Sequence, residues 1–390
     1  MPSIVRPISI LLTIFACLIP TAVAKTLPAP ARTVAIGDIH GDYDAYMSIL
    51  QAAGLTDGRG RWTGGETVLV QTGDIPDRGP DTLRIIEHLM ELEKDARKGG
   101  GEVVALIGNH EAMNVTGDLR FVTPEEYAAF ATRRSKSVRD RAWKANREAL
   151  LTAYRERDPT LTDEDIKAKW YAATPLGWLE HRAAWSPEGR IGKWVTGNAT
   201  VARVGDTIFL HGGIGPAYRA LPLDEINARA TMALMAASAD PGAIVNDTAG
   251  PLWYRGLIPG APVAGPSPED LAKAKATAAA ATPRTGSRLK APSPAPATPP
   301  PHDAEAEIMA TLASYGAARI VVGHTPARSG VRFHADGRLV QIDTGISAYY
   351  KGRRGWLEIV GDTAIGYEVG PDGSAVETGR ATLPATGSQP

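Results

Sequence analysis

The chain has 390 residues, of which 43% are hydrophobic and 22% charged, with a formal net charge of -1. This balance is typical of an ordinary globular protein and offers no large basic field for nucleic acid. The length favours one large domain with an insert over two equal domains.

The first 24 residues have the features of a cleaved signal peptide. Arg6 supplies a positive charge, residues 8–19 are apolar, and an Ala-Val-Ala sequence at 22–24 precedes Lys25. The apolar stretch is short for a membrane span, and an uncleaved N-terminal anchor is the alternative. We therefore expect a periplasmic or secreted protein with no stable membrane anchor after cleavage. The only cysteine of the sequence, Cys17, lies in this segment, so the mature chain would form no disulfide.

Strand and helix patterns alternate after a short proline-rich connector. The first predicted elements are strand 33–36, helix 44–53, strand 67–72, helix 81–98 and strand 102–107. Later ones are strands 193–204 and 207–210, which form a hairpin around Gly205-Asp206, then helix 304–315 and strand 319–322. This alternation predicts an α/β fold in which ligands gather at the strand ends.

Three segments depart from the alternating pattern. Residues 118–190 are rich in Ala, Arg, Glu and Lys, with helix-start signals at Thr123 and Thr162, and they predict a helical insert over the site. The charges of the insert favour a solvated face, and substrate reading is the alternative. Residues 262–301 are a low-complexity run that predicts a surface loop or, alternatively, a mobile lid, and residues 383–390 predict a disordered tail.

Six short motifs carry the polar side chains that stand out in this sequence. They are Gly-Asp-Ile-His-Gly (37–41), Gly-Asp-Ile-Pro-Asp-Arg-Gly (73–79), Gly-Asn-His-Glu (108–111), His-Gly-Gly (211–213), Trp-Tyr-Arg-Gly (253–256) and Gly-His-Thr-Pro (323–326). Apolar runs precede the first three motifs and the last one. The motifs therefore place oxygen donors and imidazoles at the ends of buried strands, where one pocket can collect them.

The donor types predict two metal ions held by mixed oxygen and nitrogen ligands. The candidate ligands are Asp38, His40, Asp74, Asn109, His211 and His324. Asp38 and His40 lie two residues apart and can face one cation, while Asp74 can bridge two cations through its two oxygens. Such ligands suit Mn, Fe or Zn better than magnesium alone.

The remaining motif residues suit phosphate chemistry. A water shared between two cations loses a proton near neutral pH and becomes a nucleophile. Arg78 and Arg255 offer planar forks for phosphate oxygens. His110 is placed to protonate the leaving oxygen, and Asp77 could fix its tautomer. Outside the motifs, we expect His88, His181, His302 and His334 to have surface or structural roles.

These motifs resemble those of the calcineurin-like metallophosphoesterases, and Glu111 with the Asp77-Arg78 pair resembles their phosphoprotein phosphatase branch. A Trp-Thr-Gly-Gly turn at 62–65, the insert and residues 251–256 are similar to the Shewanella-like phosphatases. The resemblance extends from about Arg32 to Trp356. It implies a four-layer α/β/β/α sandwich within a catalytic domain at 32–370.

The resemblance also implies a role for each motif residue. The first metal would be held by Asp38, His40 and Asp74, and the second by Asp74, Asn109, His211 and His324. His110 would be the general acid paired with Asp77, and Arg78 and Arg255 would bind phosphate. Tyr349 and Tyr350 would line the pocket or, alternatively, pack at a strand end.

We expect an exported phosphatase acting on phosphorylated protein side chains, with serine/threonine and tyrosine both open. Hydrolysis of nucleotides or dinucleoside polyphosphates is a second enzymatic hypothesis, and phosphate scavenging from small phosphomonoesters is a third. A phosphate-recognising metal-binding protein without turnover is the non-enzymatic alternative. The native metal pair and the oligomeric state are left open.

Overall fold

The computed structural model describes residues 25–261 and 302–384. The predicted signal peptide, the low-complexity segment 262–301 and residues 385–390 lie outside this part of the chain, so these predictions stay predictions. Among the described helices, none combines the length and the apolar character needed to cross a bilayer.

Within the described residues, the strands form two six-stranded sheets. The first sheet has the order β1 (Lys25–Leu27), β5 (Val201–Val204), β6 (Thr207–Leu210), β7 (Arg319–Val322), β9 (Leu339–Gln341) and β8 (Arg332–His334). The second has the order β12 (Ala375–Thr382), β11 (Thr363–Val369), β10 (Gly355–Val360), β2 (Thr33–Ile36), β3 (Val68–Gln71) and β4 (Glu102–Ala105).

Helices lie outside the sheets and form the insert. The helices before the insert are α1 (Tyr43–Ala52), α2 (Thr82–Lys98) and α3 (Asn109–Thr116). The insert consists of α4 (Pro124–Phe130), α5 (Ser135–Arg155), α6 (Asp163–Ala173), α7 (Trp178–Trp185) and α8 (Arg190–Gly197). After it come α9 (Leu223–Met235) and α10 (Ala304–Tyr315), and a 3₁₀ turn covers Ala335–Gly337.

The alternation of side chains along each strand builds the layers. Ala35 and Phe209 belong to the apolar cluster between the two sheets. Their strand neighbours, including Val34 and Ile208, belong to a second apolar cluster, which includes side chains from the helices. Successive strand residues point to opposite faces, so each sheet packs on the other sheet with one face and on helices with the other. The structure therefore confirms the predicted four-layer α/β/β/α fold.

One predicted strand is wrong in its first half. Residues 193–204 were expected to be extended, but α8 runs to Gly197 and β5 begins only at Val201. Ile191 and Val195 are fully buried and lie four residues apart, which places both on one face of a helix. Strand β1, which pairs in parallel with β5, was not predicted because its three residues are too few to show a pattern.

Local capping signals gave the correct helix starts in the insert. The hydroxyl of Thr123 accepts a hydrogen bond from the Glu126 N–H at 3.1 Å. The hydroxyl of Thr162 accepts one from the Asp165 N–H at 3.1 Å, and Asp165 returns the contact in a capping box. These bonds satisfy amide groups that have no partner within the helix, so the starts of α4 and α6 are fixed by nearby residues.

The insert buries two ionisable side chains against the rest of the domain. Glu126 and His181 are both fully buried, with Oε1 and Nε2 3.9 Å apart. Burial, followed by the negative charge of Asp77, raises the pKa of Glu126 well above its usual value. Burial, followed by the charge of Arg182, lowers the pKa of His181 to about 3. Within the described residues, neither ring nitrogen of His181 has a hydrogen-bond partner, so the fold favours the neutral imidazole.

We predict that His181 makes the fold sensitive to acid. Below about pH 6.5 the unfolded chain takes up a proton at this residue, whereas the folded chain does not until about pH 3. The free energy of unfolding should therefore fall by up to about 1.4 kcal/mol for each pH unit in this interval. His181→Phe, which keeps a ring beside Tyr127 and Phe130, should remove this loss.

Urea unfolding of the original protein and the variant at several pH values between 7.5 and 4.5 measures the effect. The difference in unfolding free energy should change steadily in favour of the variant as the pH falls. A difference that stays constant over this range would show that His181 accepts its proton in the folded state as easily as in the unfolded state.

Candidate dinuclear metal and phosphate site

The site lies where the carboxyl ends of two sets of parallel strands meet. Strands β2, β3 and β4 are parallel in one sheet, and β6, β7 and β9 are parallel in the other. Each of the six ends leads into a polar residue that is buried: Asp38, Asp74, Asn109, His211, His324 and Asp343. Because parallel strands end at the same edge, the fold collects these side chains in one place.

The carboxylate of Asp74 lies at the centre of this cluster. Its Oδ1 is 3.3 Å from Nε2 of His211, and its Oδ2 is 3.7 Å from Nε2 of His40 and 3.8 Å from Nε2 of His110. The two oxygens therefore face different imidazoles. Two sets of three side chains, which share Asp74, have potential ligand atoms within 4.8 Å of one another: His40, Asp74 and His110, and Asp74, His211 and His324.

The other two candidate ligands border the same cluster. Oδ2 of Asp38 is 4.0 Å from Nε2 of His40, and Oδ1 of Asp38 accepts a hydrogen bond from the His324 N–H at 3.0 Å. The side-chain oxygen of Asn109 is 2.9 Å from Nε2 of His211. The structure thus brings together all six residues that the sequence suggested as metal ligands.

Backbone carbonyls fix the orientation of three imidazoles. Nδ1 of His40 donates to the carbonyl of Pro76 at 3.0 Å, and Nδ1 of His211 donates to that of Thr72 at 2.9 Å. Nε2 of His324 donates to the carbonyl of Trp253 at 3.1 Å. A carbonyl can only accept, so each of these nitrogens carries a hydrogen, and the other nitrogen of each ring is the one left to face a metal ion. This is the pattern in which proteins present histidine to a metal.

Burial and mutual repulsion destabilise the ionised carboxylates of the cluster, and a bound cation would offset this repulsion. Burial, followed by repulsion from Asp343, raises the pKa of Asp38 well above its usual value, and burial raises the pKa of Asp343 to about 6. Burial opposes ionisation of Asp74 too, but His211, His110 and His40 hold its pKa well below the usual value. Burial would lower the pKa of His211, yet Asp74 and Asp38 raise it to about 9. A buried group of carboxyls and imidazoles of this kind fits divalent metal ions with mixed oxygen and nitrogen ligands.

Strained backbone aims several of these side chains. Positive φ angles occur at His40 (48°), Asp74 (59°), Asp77 (73°), Arg78 (69°) and His324 (64°). Non-glycine residues adopt this conformation at an energetic cost, and surrounding contacts must hold them there. Such strain at five residues of one cluster indicates a pre-organised functional site.

Glu111 is one of the contacts that hold this backbone. Its carboxylate accepts hydrogen bonds from the N–H groups of Gly108 at 2.7 Å, Asp74 at 2.9 Å and Ile75 at 2.8 Å. A Cβ atom added to Gly108 would lie 2.3 Å from Oδ1 of Asp74, so only glycine allows the two loops to come this close. Burial, followed by the charge of Asp74, raises the pKa of Glu111 to about 7. Glu111 therefore positions Asp74 by binding the backbone of its loop.

His110 and Asp77 form the predicted pair. Nδ1 of His110 is 2.5 Å from Oδ2 of Asp77, and the Asn114 amide donates to Oδ1 of Asp77 at 3.0 Å. The same amide donates to the His110 carbonyl at 3.0 Å, so Asn114 holds both members of the pair. Since Nδ1 is occupied by Asp77, Nε2 is the nitrogen that faces Asp74 and the pocket.

The two predicted phosphate-binding arginines, Arg78 and Arg255, line a cavity of about 200 Å³ together with Asp38, Asp74 and His110. Nη1 of Arg78 lies 2.5 Å from Nε2 of His40. Nη1 of Arg255 donates to the hydroxyl of Thr325 at 3.2 Å and to the carbonyl of His324 at 3.1 Å. Arg255 therefore lines the pocket, where its guanidinium lies beside His324.

Aromatic rings surround the guanidinium of Arg78. Its central carbon lies 4.9 Å from the ring centre of Tyr350, 5.2 Å from that of Phe121 and 5.6 Å from that of Tyr349. We call these three rings the aromatic collar. Tyr350 lines the cavity, whereas Tyr349 is 64% exposed. Neither tyrosine lies in a strand, so the strand-end interpretation of this pair is wrong.

Sequence reasoning missed three residues of the site. Asp343 belongs to the buried cluster and follows the last residue of β9 by two positions, just as Asp38 follows that of β2, and this signal could have identified it. Arg120 and Phe121 line the cavity from the start of the insert, where no motif marks them. The Phe121 carbonyl also accepts a hydrogen bond from the Arg78 N–H at 3.1 Å. The insert therefore contributes directly to the pocket.

Comparison with known proteins agrees with this arrangement. A 215-residue stretch is 36% identical to Shewanella-like protein phosphatase 2 of Arabidopsis thaliana and covers 51% of this chain and 50% of the plant protein. The chain thus spans about half the length of that relative. An uncharacterized protein of Schizosaccharomyces pombe is 29% identical over 339 residues, which cover 85% of this chain and 77% of the yeast protein.

A solved structure shares the fold. The crystal structure of the cold-active protein-tyrosine phosphatase of a psychrophilic Shewanella species superposes with a TM-score of 0.59 at 23% identity, covering 92% of this chain and 83% of that one. The model of the calcineurin-like phosphoesterase family matches residues 31–234, which is more than half of the chain and contains five of the six candidate ligands. This protein therefore belongs to the calcineurin-like phosphoesterases.

Proposed function

We propose that this protein is a dinuclear-metal phosphatase that hydrolyses phosphomonoesters on phosphorylated protein side chains. The observation that carries the proposal is the position of Asp74. Its two oxygens face separate imidazole groups, and His110, which is paired with Asp77, borders the same cavity as Arg78 and Arg255. Metal ligands, a proton donor and phosphate-binding forks are thus combined in one site.

We assign the metals to the side chains that present lone pairs. One metal would be held by Asp38, His40 and Asp74, and the other by Asp74, Asn109, His211 and His324. When bound, two such ions lower the pKa of a shared water and offset the charge of the phosphoryl oxygens.

The chain's own residues supply the remaining functions. Arg78 and Arg255 offer paired N–H donors to the non-reacting phosphoryl oxygens. Nε2 of His110 gives its proton to the leaving oxygen as the P–O bond breaks, while Asp77 keeps the proton on Nδ1 and stabilises the charged ring. Phe121 and Tyr350 of the aromatic collar line the cavity beside Arg78.

Removing the shared carboxylate should remove metal. We predict that Asp74→Asn lowers the metal content of purified protein from about two ions per chain to one or fewer, because an amide offers one neutral oxygen where a carboxylate offers two charged ones. Elemental analysis by mass spectrometry measures the content. Asp206→Asn, at a turn where the side chain is 74% exposed, is the matched control. Two ions retained by Asp74→Asn would rule out this carboxylate as the bridge.

Removing the proton donor should separate chemistry from metal binding. We predict that His110→Asn and Asp77→Asn lower kcat for a phosphomonoester with a poor leaving group by about 100-fold or more, with the metal content unchanged. The loss should be smaller for 4-nitrophenyl phosphate, whose leaving group needs less protonation. A loss of metal in His110→Asn would instead identify His110 as a ligand, which its distance from Asp74 permits.

A substrate panel tests the proposed class. Mn-loaded protein should hydrolyse phosphoserine, phosphothreonine or phosphotyrosine peptides with higher kcat/KM than nucleotides, dinucleoside polyphosphates or sugar phosphates. The cavity of about 200 Å³ suits a phosphoryl group on a side chain, while the rest of a peptide would lie outside it. A strong preference for dinucleoside polyphosphates would replace the proposal with the nucleotide hypothesis. Export is part of the proposal and predicts that processed protein begins at Lys25 when sequenced from its N-terminus.

A further inference from the structure

We propose that a basic groove beside the catalytic cavity binds a second anionic group of the substrate, either an acidic side chain or a second phosphoryl group on the same peptide. The inference rests on the proposed function and adds a preference for acidic phosphopeptides. The groove is defined by Arg328, Ser329, Arg332 and His334, with Pro326 at the end next to the cavity.

The groove and the catalytic cavity are neighbours. The groove has a volume of about 690 Å³, and Pro326 lines both it and the cavity. Pro326 follows His324 by two residues, so the groove begins next to a candidate metal ligand. A peptide whose phosphorylated side chain occupies the cavity would therefore have flanking residues within reach of the groove.

The charges of the groove are of one sign. Arg328 and Arg332 are both exposed, and within the described part of the chain no carboxylate lines the groove. Across residues 25–261 and 302–384, neither arginine makes a side-chain hydrogen bond or ion pair. The neighbouring Arg353, by contrast, is paired with Glu368 at 2.5 Å. Two unpaired guanidinium groups in one concave surface suit carboxylate or phosphate oxygens, which they can bind with two parallel N–H donors.

A chain of hydrogen bonds joins the groove to the phosphate-binding arginine. Nε2 of His334 donates to Oε1 of Gln341 at 3.1 Å, and Nε2 of Gln341 donates to the Thr325 carbonyl at 2.6 Å. The hydroxyl of Thr325 in turn accepts from Nη1 of Arg255 at 3.2 Å. The wall of the groove and the position of Arg255 are thus fixed by the same loop, which sets the spacing between the two anion sites.

The test compares three peptides with the same phosphorylated residue: a neutral sequence, one with glutamates on both sides, and one with a second phosphoserine. In the full chain, kcat/KM for at least one anionic peptide should exceed that for the neutral peptide by about tenfold at low salt, and the advantage should shrink as salt is added. The Arg328→Glu/Arg332→Glu double variant should reduce the ratio to about twofold or less, and the Ala pair should give an intermediate ratio. The Arg59→Glu/Arg133→Glu double variant, which reverses two exposed arginines outside the groove, is the charge-matched control and should keep the ratio.

Binding of non-hydrolysable phosphonate versions of the same peptides, followed by fluorescence anisotropy, gives a readout that does not need turnover. A preference for both anionic peptides identifies an acidic-side-chain site, and a preference for the doubly phosphorylated peptide alone identifies a second phosphate site. Equal binding of all three peptides, or a preference that survives the double glutamate variant, would overturn the inference. If no peptide is hydrolysed but the binding preference is present and lost in the variant, the groove stands and the proposed reaction fails.

Discussion

The ionised carboxylate of Asp74, buried among imidazoles, is the interaction on which the rest of the structure depends. A buried carboxylate is costly unless charged or polar partners surround it. Its partners come from both sheets, since His40 follows β2 in one sheet and His211 follows β6 in the other. The two halves of the sandwich must therefore meet in register at this edge. The apolar cluster between the sheets supplies the rigid packing that holds this register.

Shells of contacts around the cluster keep strained backbone in place. Glu111 holds the loop that carries Asp74, and the Phe121 carbonyl holds the left-handed residue Arg78. Arg182 of the insert donates a hydrogen bond to the carbonyl of Asn114, whose side chain holds the His110–Asp77 pair. The insert thus holds the backbone next to the His110–Asp77 pair and also lines the cavity. This arrangement pre-organises the donors, so that little reorganisation would be needed during reaction.

The net charge of the chain is close to zero, but negative and positive groups are separated at the site. Carboxyl groups are concentrated inside the cluster, while Arg78, Arg255 and Arg120 border the cavity outside it. Arg328 and Arg332 extend the positive border into the neighbouring groove. An anionic substrate would meet cationic forks before it reached the buried donors. The fold therefore combines an interior suited to cations with an entrance suited to anions.

The sequence by itself determined most of the strands that lead into the motifs, the motif residues at their ends and the chemical type of the site, because each depends on near neighbours in the chain. Helix α10 and strands β2 and β7 occur at the predicted residues, and all ten predicted site residues border one cluster. Only the tertiary structure decided that Arg120, Phe121 and the basic groove belong beside them. Their partners are distant in the sequence, and no local pattern records which strand ends and loops will meet. Tertiary packing also decided the secondary structure of residues 193–197. Burial of Ile191 and Val195 on one face favoured a helix there over the predicted strand.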